Sequence, residues 1–270
     1  MEALTLHNQF LGEVLPRIRQ EPRVAGVALA GSIAGGRPDV YSDVDLIVVV
    51  DDEAFDWVMA ERLALISSWT ALVAGFTGEH VGEPRLIITL VGPPLLHVDF
   101  KFVRASGFAE RTEDPDVLWD RDGALAASLA ARPPTASPLD LQWIEDRFWT
   151  WVHYGAAKLG RGELFEVIGF LGYLREAVLG PLAALRAGAS PRGVRHLESI
   201  APDEARELRR TLCGHDRDDA GQALLACVEL YRRWLDDTGA ELERRHHAEK
   251  LAVRYLHDVI DRTGIEGSGR

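Results

Sequence analysis

Asp43 and Asp45 stand two residues apart, with Val44 between them and the apolar run Leu46–Val50 behind. In an extended segment, residues i and i+2 point to one face. Both carboxylates therefore project together, while Val44 and Leu46 anchor the other side. Two carboxylates held this close repel, which is a poor structural choice unless a cation lies between them. Hard oxygen ligands of this kind suit Mg²⁺, which takes one or two protein carboxylates and completes its shell with phosphate oxygens and water. Upstream lies Gly31-Ser32, separated from Asp43 by ten residues. Glycine lets the backbone approach closely, and the amide and hydroxyl of Ser32 can donate to phosphate oxygens. A phosphate cradle beside paired carboxylates is apparatus for phosphoryl or nucleotidyl transfer.

The elements that must position these residues can be read from periodicity. Val24–Ala30, Val44–Val50, Leu86–Val91 and His97–Val103 are short, β-branched or aromatic, and bounded by Gly, Pro or Asp, so they read as strands. The turn Gly92–Leu95 makes Leu86–Val103 a hairpin. Apolar residues at helical spacing predict helices over Leu4–Gln20 and Phe55–Ala74. The Pro-rich stretch Ala131–Pro138 then divides the chain. Beyond it, long helical periodicity predicts helices near Leu139–Leu159, Leu164–Arg186, Pro202–Cys213, Ala220–Thr238 and Ala240–Arg262. The expected organisation is a mixed domain over 1–132, a helical domain over 139–264 and a loose tail over 265–270.

Gly31-Ser32, the ten-residue spacer and Asp43-Val44-Asp45-Leu46 together resemble the signature of the polymerase-β-type nucleotidyltransferase superfamily. In that family a third carboxylate follows on a later strand, and this sequence offers Asp99 in His97-Val98-Asp99-Phe100-Lys101. Spacing alone does not require Asp99; the resemblance makes it a metal ligand and proton acceptor. For that role its strand must lie beside or near Val44–Val50 in the same sheet and in matching register, since a slip of one residue would turn Asp99 into the core. Within the superfamily the chain is similar to the antibiotic nucleotidyltransferases of aminoglycoside and lincosamide type, which add a helical C-terminal domain. Lys158, in the segment Lys158–Glu163, is similar to a lysine that several such enzymes place against the triphosphate.

The resemblance implies an α+β fold, with an N-terminal mixed sheet flanked by helices and a C-terminal helical bundle. It implies Mg²⁺-dependent transfer of a nucleoside monophosphate, AMP from ATP or the equivalent from another NTP, to a hydroxyl of a small acceptor. Asp43, Asp45 and Asp99 would hold two ions. Gly31 and Ser32 would bind the phosphates, with Lys158 as an added cation. The acceptor would be an antibiotic of aminoglycoside or lincosamide type. Two other readings stay open: a non-catalytic nucleotide-sensing or protein-binding module on the same fold, and a protein- or RNA-directed nucleotidyltransferase. Homodimerisation is compatible with each.

Composition narrows the field further. The 270 residues carry a net charge of −12, which argues against a broad nucleic-acid binder, whose footprint is basic. Two cysteines make no disulfide framework, and no leader-like segment opens the sequence, so the expected setting is a reducing cytoplasm. The longest uninterrupted apolar runs fall far short of the roughly 20 residues of a membrane helix. No Gly-Lys-Ser/Thr follows Gly31–Gly36, which excludes a Walker mechanism. Asp39, Asp51 and Asp52 read as turn and strand-end residues, and Glu79 and Glu83 as solvated loop residues. The aromatics Trp143, Phe148, Trp149 and Trp151 read as core, and Cys213, His215 and Cys227 lack zinc spacing.

Overall fold

A computed structural model describes residues 4–36, 38–135 and 138–266, and the chain divides into two compact units, 1–137 and 138–270. In the first, α1 (Thr5–Ile18) leads into β1 (Val24–Ala30), a one-turn helix α2 (Gly31–Ala34) and β2 (Val44–Val50). Next come α3 (Phe55–Trp69), β3 (Leu72–Gly78), β4 (Glu83–Val91), β5 (Leu96–Arg104), β6 (Asp116–Asp120) and α4 (Ala124–Ala131). The strands form one mixed sheet in the order β3-β4-β5-β2-β1-β6. Only β2 and β5 run parallel, and every other neighbouring pair is antiparallel.

Alternation in the strands decides which way the polar groups face. Val98, Phe100 and Phe102 of β5 and Val44, Leu46 and Val48 of β2 are buried together. Their cover comes from Phe10, Val14 and Ile18 of α1 and from Val58, Ile66 and Trp69 of α3. The residues between them, Asp45, Ile47, Asp99 and Lys101, are half-buried and belong to the opposite face. On that face, Leu125 of α4 joins Ala25, Ala28, Val49, Val103 and Phe108 in a smaller apolar cluster.

The hairpin of β4 and β5 forms as the alternation implies. The helix expected over Phe55–Ala74 is shorter. It stops at Trp69, because Thr70 is extended and Arg17 Nη1 donates to the Trp69 carbonyl at 2.8 Å. Leu72–Gly78 then pairs with β4, so the β-branched residues Val73 and Thr77 act as strand formers. β6 and α4 also lie outside the sequence reading; a five-residue edge strand bounded by Asp116 and Asp120 offers little alternation to detect.

The second unit is helical: α5 (Leu141–Gly160), α6 (Leu164–Leu174), a π-helical turn over Arg175–Leu179, α7 (Gly180–Arg186), α8 (Leu197–Ile200), α9 (Pro202–Leu208), α10 (Arg217–Asp237) and α11 (His246–Glu266). Leu164–Arg186 is long and apolar enough to cross a membrane by length and composition, which the count of uninterrupted runs overlooked. Its most apolar 18-residue stretch is 56% buried inside the structure, with Val167, Leu171, Leu174, Val178 and Leu182 in the core of this unit. Phe148 and Trp149 are core residues as expected, whereas Trp143 is substantially exposed.

The last helix begins at His246 instead of Ala240. Residues 243–245 are held outside the helix by α5: Gln142 Oε1 accepts from Glu243 N at 2.9 Å, and the buried Glu145 accepts from Arg245 N at 2.7 Å. It continues to Glu266, past the start of the tail expected to be loose, whose residues 267–270 lie outside the described ones.

Because Phe100 is fully buried directly beside Asp99, its loss should damage the sheet that holds the carboxylates. Phe100→Ala is expected to lower stability by about 3–5 kcal/mol, read as a fall in the urea midpoint of the unit carrying the sheet.

Candidate active site

Pairing of β2 with β5 sets Val44 opposite Val98, Asp45 opposite Asp99 and Leu46 opposite Phe100. Two carboxylates thus sit side by side on adjacent strands and on the face away from α1 and α3. Asp43, half-buried just before β2, lies close enough to act on Asp99. Burial pushes the Asp99 carboxyl above its ordinary value, the hydrogen bond from His97 pulls it back in part, and the Asp43 charge raises it again. These groups are held together against electrostatic preference, as a cation-binding cluster must be.

On the other side of β2, Ala30 of β1 pairs with Asp45, so Gly31 falls next to the Asp45 carboxylate. Gly31 has φ +69°, and a Cβ placed on it would lie 1.8 Å from Asp45 Oδ2. Glycine is required here twice over, by backbone conformation and by contact. Gly31 begins the one-turn helix α2, which carries Ser32. Ser32 Oγ donates to Ser42 Oγ at 3.0 Å, and Ser42 Oγ also accepts from Asp39 N at 3.0 Å. Asp39 Oδ1 accepts from Tyr41 N at 2.8 Å, which makes Asp39 the turn residue it was expected to be.

A residue the sequence reading passed over fixes this loop from below. His7 of α1 is buried, and its Nε2 donates to the Ser42 carbonyl at 2.6 Å. The carbonyl immediately before Asp43 is thereby tied to the helix under the sheet. Only the apolar stripe of α1 was legible, and a single histidine within it carried no signal.

Asp43, Asp45, Asp99, Gly31 and Ser32 therefore gather at one place on the sheet. As they stand, no three His, Cys, Asp or Glu side chains among the described residues converge to hold a metal ion. Asp99 Oδ1 is 2.9 Å from His97 Nε2, and the Asp45 carboxylate rests against Gly31. Lys158 belongs to the second unit, where its ammonium binds Glu163 at 2.7 Å and Glu166 at 3.7 Å. Glu79 follows β3, at the far edge of the sheet from β2. Glu83 is no free loop acid: Arg85 and Lys101 hold its carboxyl down at about 2.

Two outcomes are expected from this geometry. Gly31→Ala forces a Cβ into the Asp45 carboxylate and should cut turnover by about a hundredfold, measured as initial rate at saturating nucleotide. Asp99→Asn should instead stabilise the fold. An acid whose folded pKa is raised costs stability only once ionised, so the gain in Tm should be present near pH 8 and fade toward about pH 4.

Residues 11–89 match the family model described as a nucleotidyltransferase domain. The match contains Gly31, Ser32, Asp43 and Asp45 and ends before Asp99. No curated protein matches the chain. An aminoglycoside 6-adenyltransferase from Bacillus subtilis aligns at 14% identity over 92% of this chain and 97% of that one, with a TM-score of 0.41. A nucleotidyltransferase-like protein from Exiguobacterium sibiricum 255-15 aligns at 13% identity over 97% and 92% of the two chains, with a TM-score of 0.37. The family match takes in both Gly31-Ser32 and Asp43-Val44-Asp45, so residues 11–89 are similar to a nucleotidyltransferase domain where the candidate site's local motif lies.

Proposed function

We propose that this nucleotidyltransferase moves a nucleoside monophosphate, AMP from ATP, onto a hydroxyl of a small acceptor and releases pyrophosphate. The observation that carries the reading is the register of β2 against β5, which sets Asp45 beside Asp99 with Asp43 in electrostatic reach. The donor set is all carboxylate oxygen, the chemistry Mg²⁺ favours. Asp43, Asp45 and Asp99 would hold the ions. Bound there, divalent ions would offset charge on the triphosphate and acidify the attacking hydroxyl.

The chain's own residues supply the rest. The Gly31 and Ser32 amides and the Ser32 hydroxyl donate to phosphate oxygens, which requires Ser32 Oγ to release Ser42. His7 keeps the loop before Asp43 in place while this exchange happens. Asp99 accepts the acceptor's proton, from its place opposite Asp45 on the adjacent strand. The acceptor oxygen bonds to the α-phosphorus as the bond to pyrophosphate breaks. Lys158 could serve the triphosphate only by exchanging its bonds to Glu163 and Glu166. We place the enzyme in a reducing cytoplasm, consistent with Cys213 and Cys227 both being free thiols.

Incubation with Mg²⁺, labelled NTPs and a panel of small hydroxylated acceptors, aminoglycosides and lincosamides included, should yield a mass increment of one nucleoside monophosphate on one acceptor. Asp43→Asn and Asp45→Asn should each lower that yield by about a thousandfold while circular dichroism stays unchanged. Full transfer by either variant would overturn the assignment.

A further inference from the structure

On the face of the sheet that carries Asp45 and Asp99 there is a cavity of about 440 Å³, and its wall is cationic. Ile47 of β2 and Lys101 of β5 line it, each two residues beyond a site carboxylate on the same strand. A two-residue step along a strand is about 7 Å, so the cavity opens within one small molecule's length of Asp99. Ile47, Val103 and Phe108 give it apolar surface, and its charged lining is Arg85, Lys101, Arg111 and Arg132 against Glu110 alone. In a chain of net charge −12, four cations line one cavity, and with the carboxylates of Glu83, Glu110 and Asp114 counted the balance is still on the positive side.

The cations are positioned but not saturated. Glu83 takes one ion pair from Lys101 at 2.9 Å and two hydrogen bonds from Arg85, through Nε and Nη2. That leaves two donors on the Lys101 ammonium and the Nη1 amino group of Arg85. Arg111 is spent on Asp114 and on the carbonyls of Ala109 and Leu129, and so acts as a scaffold. Arg132 is exposed and forms no ion pair among the described residues. Glu83 thus holds Arg85 and Lys101 together as a fork, a device for a planar or tetrahedral anion.

We propose that this cavity binds a phosphate or carboxylate group of the acceptor, so that the acceptor is a small anion and not a polycation. The proposal rests on the transferase reading and names the substrate class of the same site. Two sources could supply the anion, the acceptor or the nucleotide's own triphosphate. Placement favours the acceptor: the Gly31-Ser32 cradle lies on the β1 side of β2, whereas the cavity lies toward β5 and β4. A polycationic aminoglycoside would meet the unsatisfied donors of Lys101 and Arg85 and the exposed Arg132 there.

The test is equilibrium binding to the full chain, without Mg²⁺ or turnover, using phenyl phosphate, phenol and a polycationic aminoglycoside as probes. Phenyl phosphate should bind at least tenfold more tightly than phenol and than the aminoglycoside, and more weakly as salt rises. Lys101→Met and Arg132→Met should each weaken phenyl phosphate about fivefold and leave phenol unchanged; Arg132 is exposed, so its removal leaves the fold intact. Saturating ATP should not displace phenyl phosphate. Displacement by ATP would assign the cavity to the triphosphate and overturn the acceptor claim. Equal affinity for phenol, tighter binding of the aminoglycoside, or no effect of either variant would overturn it as well. If phenyl phosphate binds as expected but no acceptor is ever labelled, the transferase reading fails while the anion cavity stands.

Discussion

Everything at this site depends on keeping like charges together. Asp45 and Asp99 are opposite each other because β2 and β5 run parallel in one register, and no looser arrangement would hold two carboxylates there. The register is fixed from the buried side. Val44, Leu46 and Val48 alternate with Asp45 and Ile47, and Val98, Phe100 and Phe102 alternate with Asp99 and Lys101. Slipping either strand by one residue would bury a carboxylate and expose core residues, Leu46 in β2 or the rings of Phe100 and Phe102 in β5, so the apolar core sets the position of the charges. The cost is visible in Asp99, whose carboxyl is pushed upward by burial and by Asp43.

Around that pair the supports are specific. Gly31 is a glycine because a side chain would occupy the space of the Asp45 carboxylate. His7 ties the loop ahead of Asp43 to α1, and the Ser32–Ser42 hydrogen bond keeps the hydroxyl proposed for phosphate binding close to that loop. Beyond Asp99 the same strand presents Lys101, where the sign of the surface reverses. A carboxylate cluster flanked by a glycine cradle on one side and a cationic cavity on the other offers different surroundings to two different substrates.

Much of this was legible in the sequence, for identifiable reasons. Asp43, Asp45 and Gly31-Ser32 announce themselves through local spacing, since i, i+2 carboxylates beside apolar residues have one strand geometry. The position of Asp99 followed from alternation once a third carboxylate was sought, yet the pairing of strands more than 50 residues apart is a tertiary fact. What stayed hidden was non-local. β3 looked like the end of a helix because Leu72 continues the apolar spacing of α3, and only pairing with β4 decides otherwise. The late start of α11 depends on hydrogen bonds that the Glu243 and Arg245 amides donate to Gln142 and Glu145, about 100 residues away. The cavity cations come from β4, β5 and two loops, so no window of sequence displays them as a group.

Thermal denaturation with ATP alone and with Mg²⁺-ATP, in the native chain and in Asp45→Asn, tests the central claim most directly. If the carboxylates are a cation-dependent nucleotide site, Mg²⁺-ATP should raise the native Tm well above the value with ATP alone, and the substitution should abolish that difference. An equal rise with ATP alone, or a Mg²⁺-dependent rise that survives in Asp45→Asn, would contradict it.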